Sequence, residues 1–65
     1  MDHLTSWQAA VSYHASLVRS NAPASQQRKA HNKVKSSLVR VMVDMGYDFD
    51  DAMDLVVLDD SEFED

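Results

Sequence analysis

Three histidines, His3, His14 and His31, are the only side chains whose ordinary protonation equilibrium lies near neutral pH. His14 falls within the apolar stripe of a first predicted helix, and His31 near the edge of the stripe on a second. A metal site built from both would have to draw carboxylates from a third segment. No ligand-spacing motif marks such a site, and the chain contains no cysteine. The two are read as interface histidines, each satisfied by one hydrogen bond. Among the serines none stands in a Gly-x-Ser-x-Gly elbow, and a chain with one glycine has no glycine-rich loop to cradle a phosphate. Asp48, Asp50 and Asp51 imitate the start of a calcium loop, but its sixth position is Met53 and its twelfth is Asp59, where glycine and glutamate are needed. The expectation is a protein that is not an enzyme and that uses no metal or cofactor.

A second group of residues suits binding rather than catalysis. Arg28, Lys29, Lys33, Lys35 and Arg40 lie close together, with Lys29, Lys33 and Arg40 on one flank of the second helix. Such a flank could meet phosphates, while His31, Asn32, Ser36 and Ser37 could reach base edges. The rest of the chain opposes this reading. Met1 to Val43 holds six Lys/Arg and one acid, whereas Asp44 to Asp65 holds ten acids and no base. The net charge of −5 lacks the usual electrostatic footprint of a nucleic-acid binder. Nucleic acid is therefore the less favoured partner, and charge pairing between segments or subunits the favoured use of the opposed halves.

Those residues must be positioned by few elements. Sixty-five residues make one domain at most. A core of that size rarely supplies more than about 3–5 kcal/mol without a disulfide, a metal or a partner subunit. With no cysteine, self-association is the expected support. One Gly and one Pro leave too little turn chemistry for an all-β fold. The start, Met1 to Thr5, shows no basic region leading into an apolar run, and no apolar stretch approaches the roughly 20 residues that span a bilayer. A cytoplasmic protein without membrane contact is expected.

The periodicity predicts three helices. Thr5 and Gln8 form a capping box, after which Trp7, Val11, His14 and Val18 recur at helical spacing with Ala10 and Leu17 on the shoulder, predicting a helix over about 6–19. Ala22-Pro23 breaks the chain. A long second helix over about 25–45 follows, carrying Ala30, Val34, Leu38, Val41, Met42 and Met45 and ending at Gly46. Val39 and Val43 stand on its other side. A helix facing one core has no use for a second apolar strip, so these two are assigned to a homodimer seam. Asp48 then caps a third helix over about 49–58, with Phe49, Ala52, Met53 and Val56 on one face. The domain is expected over 1–58, with 59–65 a disordered acidic tail.

Two resemblances add to this reading. The run from Val41 to Leu55, centred on Met45-Gly46-Tyr47, resembles the first turn of a ubiquitin-associated domain, which implies Met45, Gly46 and Tyr47 as a ubiquitin-contacting loop. That family has a further helix after this pair, where here an acidic run remains. As a whole, the small, cysteine-free, acid-tailed chain resembles the accessory proteins of lambdoid bacteriophage early (exo–xis) regions. This implies a regulator that binds host or phage proteins in the host cytoplasm.

Together these expectations describe an all-α, non-enzymatic interaction protein, dimeric and regulatory. Its protein-contacting residues are expected to be Val39, Val43, Tyr47, Phe49 and Met53. Lys29, Lys33 and Arg40 are the candidate nucleic-acid contacts in the alternative reading.

Overall fold

The structure is a computed structural model that describes residues 2–63. It is all-α: α1 (His3–Arg19), α2 (Ala24–Asp44) and α3 (Phe49–Leu55) are followed by one 3₁₀ turn, η1 (Asp60–Glu62), and no strand occurs among the described residues. α1 packs antiparallel along α2, and α3 packs on α2 as well. Burial shows that the two lie on opposite sides of α2. Gln27, Ala30, Val34, Ser37 and Val41 are wholly or partly buried on one side, and Ser36 and Val39 on the other. At 100° per residue these sets are about half a turn apart. α2 is therefore the middle of a three-element layer.

The helix ends follow one design. Each closes with a Schellman motif, whose two backbone bonds satisfy carbonyls left over in the last turn. In α1, Ala22 N donates to Leu17 O and Asn21 N to Val18 O; in α2, Tyr47 N donates to Met42 O and Gly46 N to Val43 O. In α3, Leu58 N donates to Met53 O at 3.0 Å and Val57 N to Asp54 O at 3.2 Å. The residue that turns the chain has positive φ in each case: Asn21 at 56°, Gly46 at 108° and Val57 at 53°. Asparagine and glycine adopt this region readily, but a β-branched valine does not.

Several expected boundaries shift. α1 begins at His3 rather than Ser6, because the Asp2 carboxylate accepts from Thr5 N at 2.7 Å and acts as the N-cap. Thr5 is thereby inside the first turn and its capping box with Gln8 is displaced. α3 stops at Leu55 rather than near residue 58, because Val57 reverses the chain and sends Leu58 back into the core. Residues 59–63 are not a loose tail. Asp59 and Glu62 form a capping box around η1, and Phe63 packs on the core cluster. Glu64 and Asp65, the end of the expected tail, lie outside the described residues.

The core sits on the α3 side of α2. It is built from Val39, Ala52, Met53 and Leu58, with Met42, Val56 and Phe63 packed against it. Val39 is 0% exposed, so that member of the strip assigned to a dimer seam is consumed within the chain by α3 and the C-terminal segment, while Val43 stays exposed. Met53 is buried beside it and is a core residue, not a contact for a partner. The α1–α2 seam is built differently, from the small residues Ala10, Ala30 and Ser37 with the half-buried Trp7, His14 and Leu17. Val11 and Val18, expected inside the stripe of α1, remain exposed. The stripe is rotated toward Ala10 and Leu17.

Candidate interaction surfaces

The C-terminal half of α2, the start of α3 and the chain end enclose a groove of about 410 Å³. Its apolar lining is Val39, Val43, Phe49 and Phe63, and its polar rim is His3, Arg40 and Asp44. Each element contributes for a local reason. The Gly46 turn and the Asp48 N-cap set α3 at the end of α2, which presents Phe49 over the opening. η1 folds the chain back and brings Phe63 edge-on to Phe49, with ring centres 5.2 Å apart. The Arg40 guanidinium lies 5.2 Å from the centre of the Phe63 ring, within the range of a cation–π contact. At the rim, His3 Nδ1 and Asp44 Oδ2 are 2.7 Å apart, joining the start of α1 to the end of α2. Both side chains are exposed, so the pair fixes geometry more than it adds stability.

The structure thus keeps Val43 and Phe49 together at one surface and removes Val39 to its floor. Tyr47 is exposed beside Met45, which is 72% exposed, on the turn around Gly46. Met45, Gly46 and Tyr47 thus form an exposed turn between α2 and α3, and η1 follows α3. Phe63 was missed in the sequence because it is a single aromatic in an acidic run. A capping box at Asp59 and Glu62 was the available signal.

The expected basic flank divides. Lys29 and Lys33 share a second concavity with Tyr13, Gln26 and Ala30, whereas Arg40 belongs to the groove. Lys35 points elsewhere, its Nζ donating to Val57 O at 3.1 Å, where a cation suits the carbonyl end of α3. Tyr13 is exposed, so an aromatic ring and two lysines face solvent together. His14 and His31 do meet, with ring centres 5.5 Å apart across the α1–α2 seam. Among the described residues no group of three or more potential metal ligands occurs. No helix of the described residues is long and apolar enough to cross a membrane.

Asp2 is held in a setting that displaces its titration. The Thr5 hydrogen bonds at the N-terminus of α1, side-chain and backbone, hold its carboxyl below the ordinary aspartate value. Comparison with protein families, curated proteins and solved structures finds no match to this chain.

Proposed function

We propose that this chain is a non-catalytic regulatory protein that works as a homodimer and binds an apolar side chain of a protein partner in the α2–α3 groove. The observation that carries the reading is the groove itself. Val43, Phe49 and Phe63 form an apolar recess with charged groups confined to its rim. An aromatic or leucine side chain on a helical or extended partner segment suits such a recess, and the rim would orient the flanking polar groups. The resemblance to phage early-region proteins supports a regulatory role on host or phage proteins in the cytoplasm.

Selection of peptides from a random displayed library against the folded protein tests this. Binders with a large apolar anchor that lose affinity at least tenfold against Phe49→Ala, but not against Tyr13→Ala, support the groove. Binders indifferent to Phe49→Ala refute it.

A nucleic-acid reading is favoured by one observation, the placing of Tyr13 beside Lys29 and Lys33. Stacking on the ring with phosphates on the lysines is the chemistry implied. It requires an affinity that falls steeply with salt, and no gel shift at low salt ends it. The ubiquitin-binding alternative predicts NMR shifts at Met45, Gly46 and Tyr47 on titration with ubiquitin.

A further inference from the structure

The α1–α2 seam is not the only row of residues with a seven-residue step. On α1, Leu4, Val11 and Val18 are 49%, 40% and 48% exposed. On α2 and its C-cap, the exposed His31, the half-buried Leu38 and the exposed Met45 have the same spacing. Residues seven apart on an α-helix drift by only about 20°, so each row runs nearly straight. Both rows stand roughly 70–90° round from the seam. Because the helices are antiparallel, the two offsets turn to the same side of the hairpin.

Two contacts fix that side. The His14–His31 ring contact bridges the seam there. The concavity of Tyr13, Lys29 and Lys33 lies on the opposite side. One side of the hairpin thus carries Tyr13, Lys29 and Lys33, and the other the two rows, apolar except for His31. The pairing of His3 with Asp44 sets Leu4 level with Val43, Val11 with Ser36 and Val18 with Lys29, so Leu4, Val11 and Val18 lie within about two residues, or 3 Å, of Met45, Leu38 and His31 along the axis.

A helix that packs on one neighbour needs only a narrow seam. A helix in a four-helix bundle needs a third apolar position in each heptad, facing a second neighbour. We propose that a second copy of this chain covers this face, so that two α1–α2 hairpins form a four-helix bundle with α1 of each copy against α2 of the other.

Charge selects the second copy and its orientation. From Leu4 to Val18, α1 contains no Lys, Arg, Asp or Glu, while α2 contains five Lys/Arg and one acid. Setting α2 on α2 would bring two cationic helices together. Setting each on the partner's neutral α1 avoids that and keeps the two α2 helices diagonal. The acidic α3 edges, on the far side of α2, then occupy opposite corners of the dimer. The size also suits. Seventeen residues of α1 span about 25 Å, and two helices about 9 Å apart give a face roughly 20 Å wide. Two such faces bury on the order of 1,000 Å², the lower bound for a specific interface, so a micromolar dimer is expected.

This deepens the dimeric part of the proposed function and uses a surface apart from the groove, so either can fail alone. The absence of cysteine makes the test clean. Val11→Cys and Leu38→Cys proteins are mixed in equal amounts and mildly oxidised. A covalent heterodimer forming several-fold faster than either homodimer, and faster than any species from Leu55→Cys on exposed α3, is the expected result. Sedimentation equilibrium should show Val11→Lys at least tenfold more dissociated than the parent, with unchanged helical circular dichroism. A parent chain that is monomeric at several hundred micromolar overturns the proposal. Crosslinking at Leu55→Cys as fast as in the mixture overturns it too. Preferential Val11–Val11 crosslinks overturn the seating of α1 on α2. If Val11→Lys fails to fold, the crosslinking alone decides.

Discussion

Val57→Gly should stabilise this protein, although it removes a side chain and loosens the unfolded chain. Val57 occupies the left-handed region at φ 53° as the turning residue of the Schellman motif after α3. The clash of its Cβ with the following carbonyl costs roughly 1–2 kcal/mol. Its side chain is 76% exposed, so truncation forfeits little burial. Glycine returns about 0.4–1 kcal/mol of that relief by enlarging the unfolded ensemble. The net gain is about 0.5–1 kcal/mol. For a domain of this size each 1 kcal/mol moves Tm by roughly 4–8 °C, so a rise of about 2–8 °C is expected. Thermal unfolding followed by circular dichroism measures it, with urea titration to confirm a higher midpoint at unchanged slope. Val57→Ala, which keeps a Cβ, should gain much less. A Tm that falls in Val57→Gly would refute the reasoning, and would mean that the valine side chain holds the turn rather than straining it.

Three further outcomes follow from the packing. Leu58→Ala removes a buried member of the cluster with Val39, Ala52 and Met53. Its cost of about 2–5 kcal/mol matches the stability such a core provides, so the variant should be largely unfolded by circular dichroism at 25 °C. Ala30→Leu forces extra volume into the close α1–α2 seam and should cost about 1–3 kcal/mol by urea denaturation. Asp2 has a depressed folded-state value, so its capping contribution is present above the ordinary aspartate range and is lost as pH falls through the folded value. NMR amide exchange in the first turn of α1 should therefore accelerate on acidification, and the acceleration should vanish in Asp2→Ala.

Periodicity alone located α2 to within a residue at each end, because a long run between Pro23 and Gly46 leaves little choice. The Gly46 turn was legible for the same reason. The start of α1 was not, since Asp2 and Thr5 are both good caps three residues apart and only the structure shows that the earlier one wins. The face of α1 was misjudged because its apolar arc is wide. Trp7, Ala10, His14 and Leu17 serve the seam while Leu4, Val11 and Val18 lie beside it, and no pattern within one helix separates two such sets. Val57 gave no signal, because valine at a turn of this kind runs against propensity. That error hid the rest of the groove, since reversal at Val57 is what returns Leu58, η1 and Phe63 to α2. Val39 was recognised as facing away from the main stripe, and the element that covers it came from the segment read as tail.

The uneven placement of the core has a consequence for local opening. α1 is the second longest helix, yet the fully buried residues of its seam with α2 are the small Ala10, Ala30 and Ser37, and the Trp7 indole Nε1 is enclosed there without a hydrogen-bond partner. An enclosed donor of that kind costs about 1–3 kcal/mol. The seven-residue α3, in contrast, is anchored by Ala52 and Met53 with Leu58 just beyond it. Sub-global opening should therefore detach the long N-terminal helix before the short C-terminal one. Native-state hydrogen exchange would then resolve two cooperative units, α1 alone and α2 with the C-terminal segment. A second copy seated on α1 would merge them, making protection of α1 amides rise with protein concentration while that of α3 stays constant.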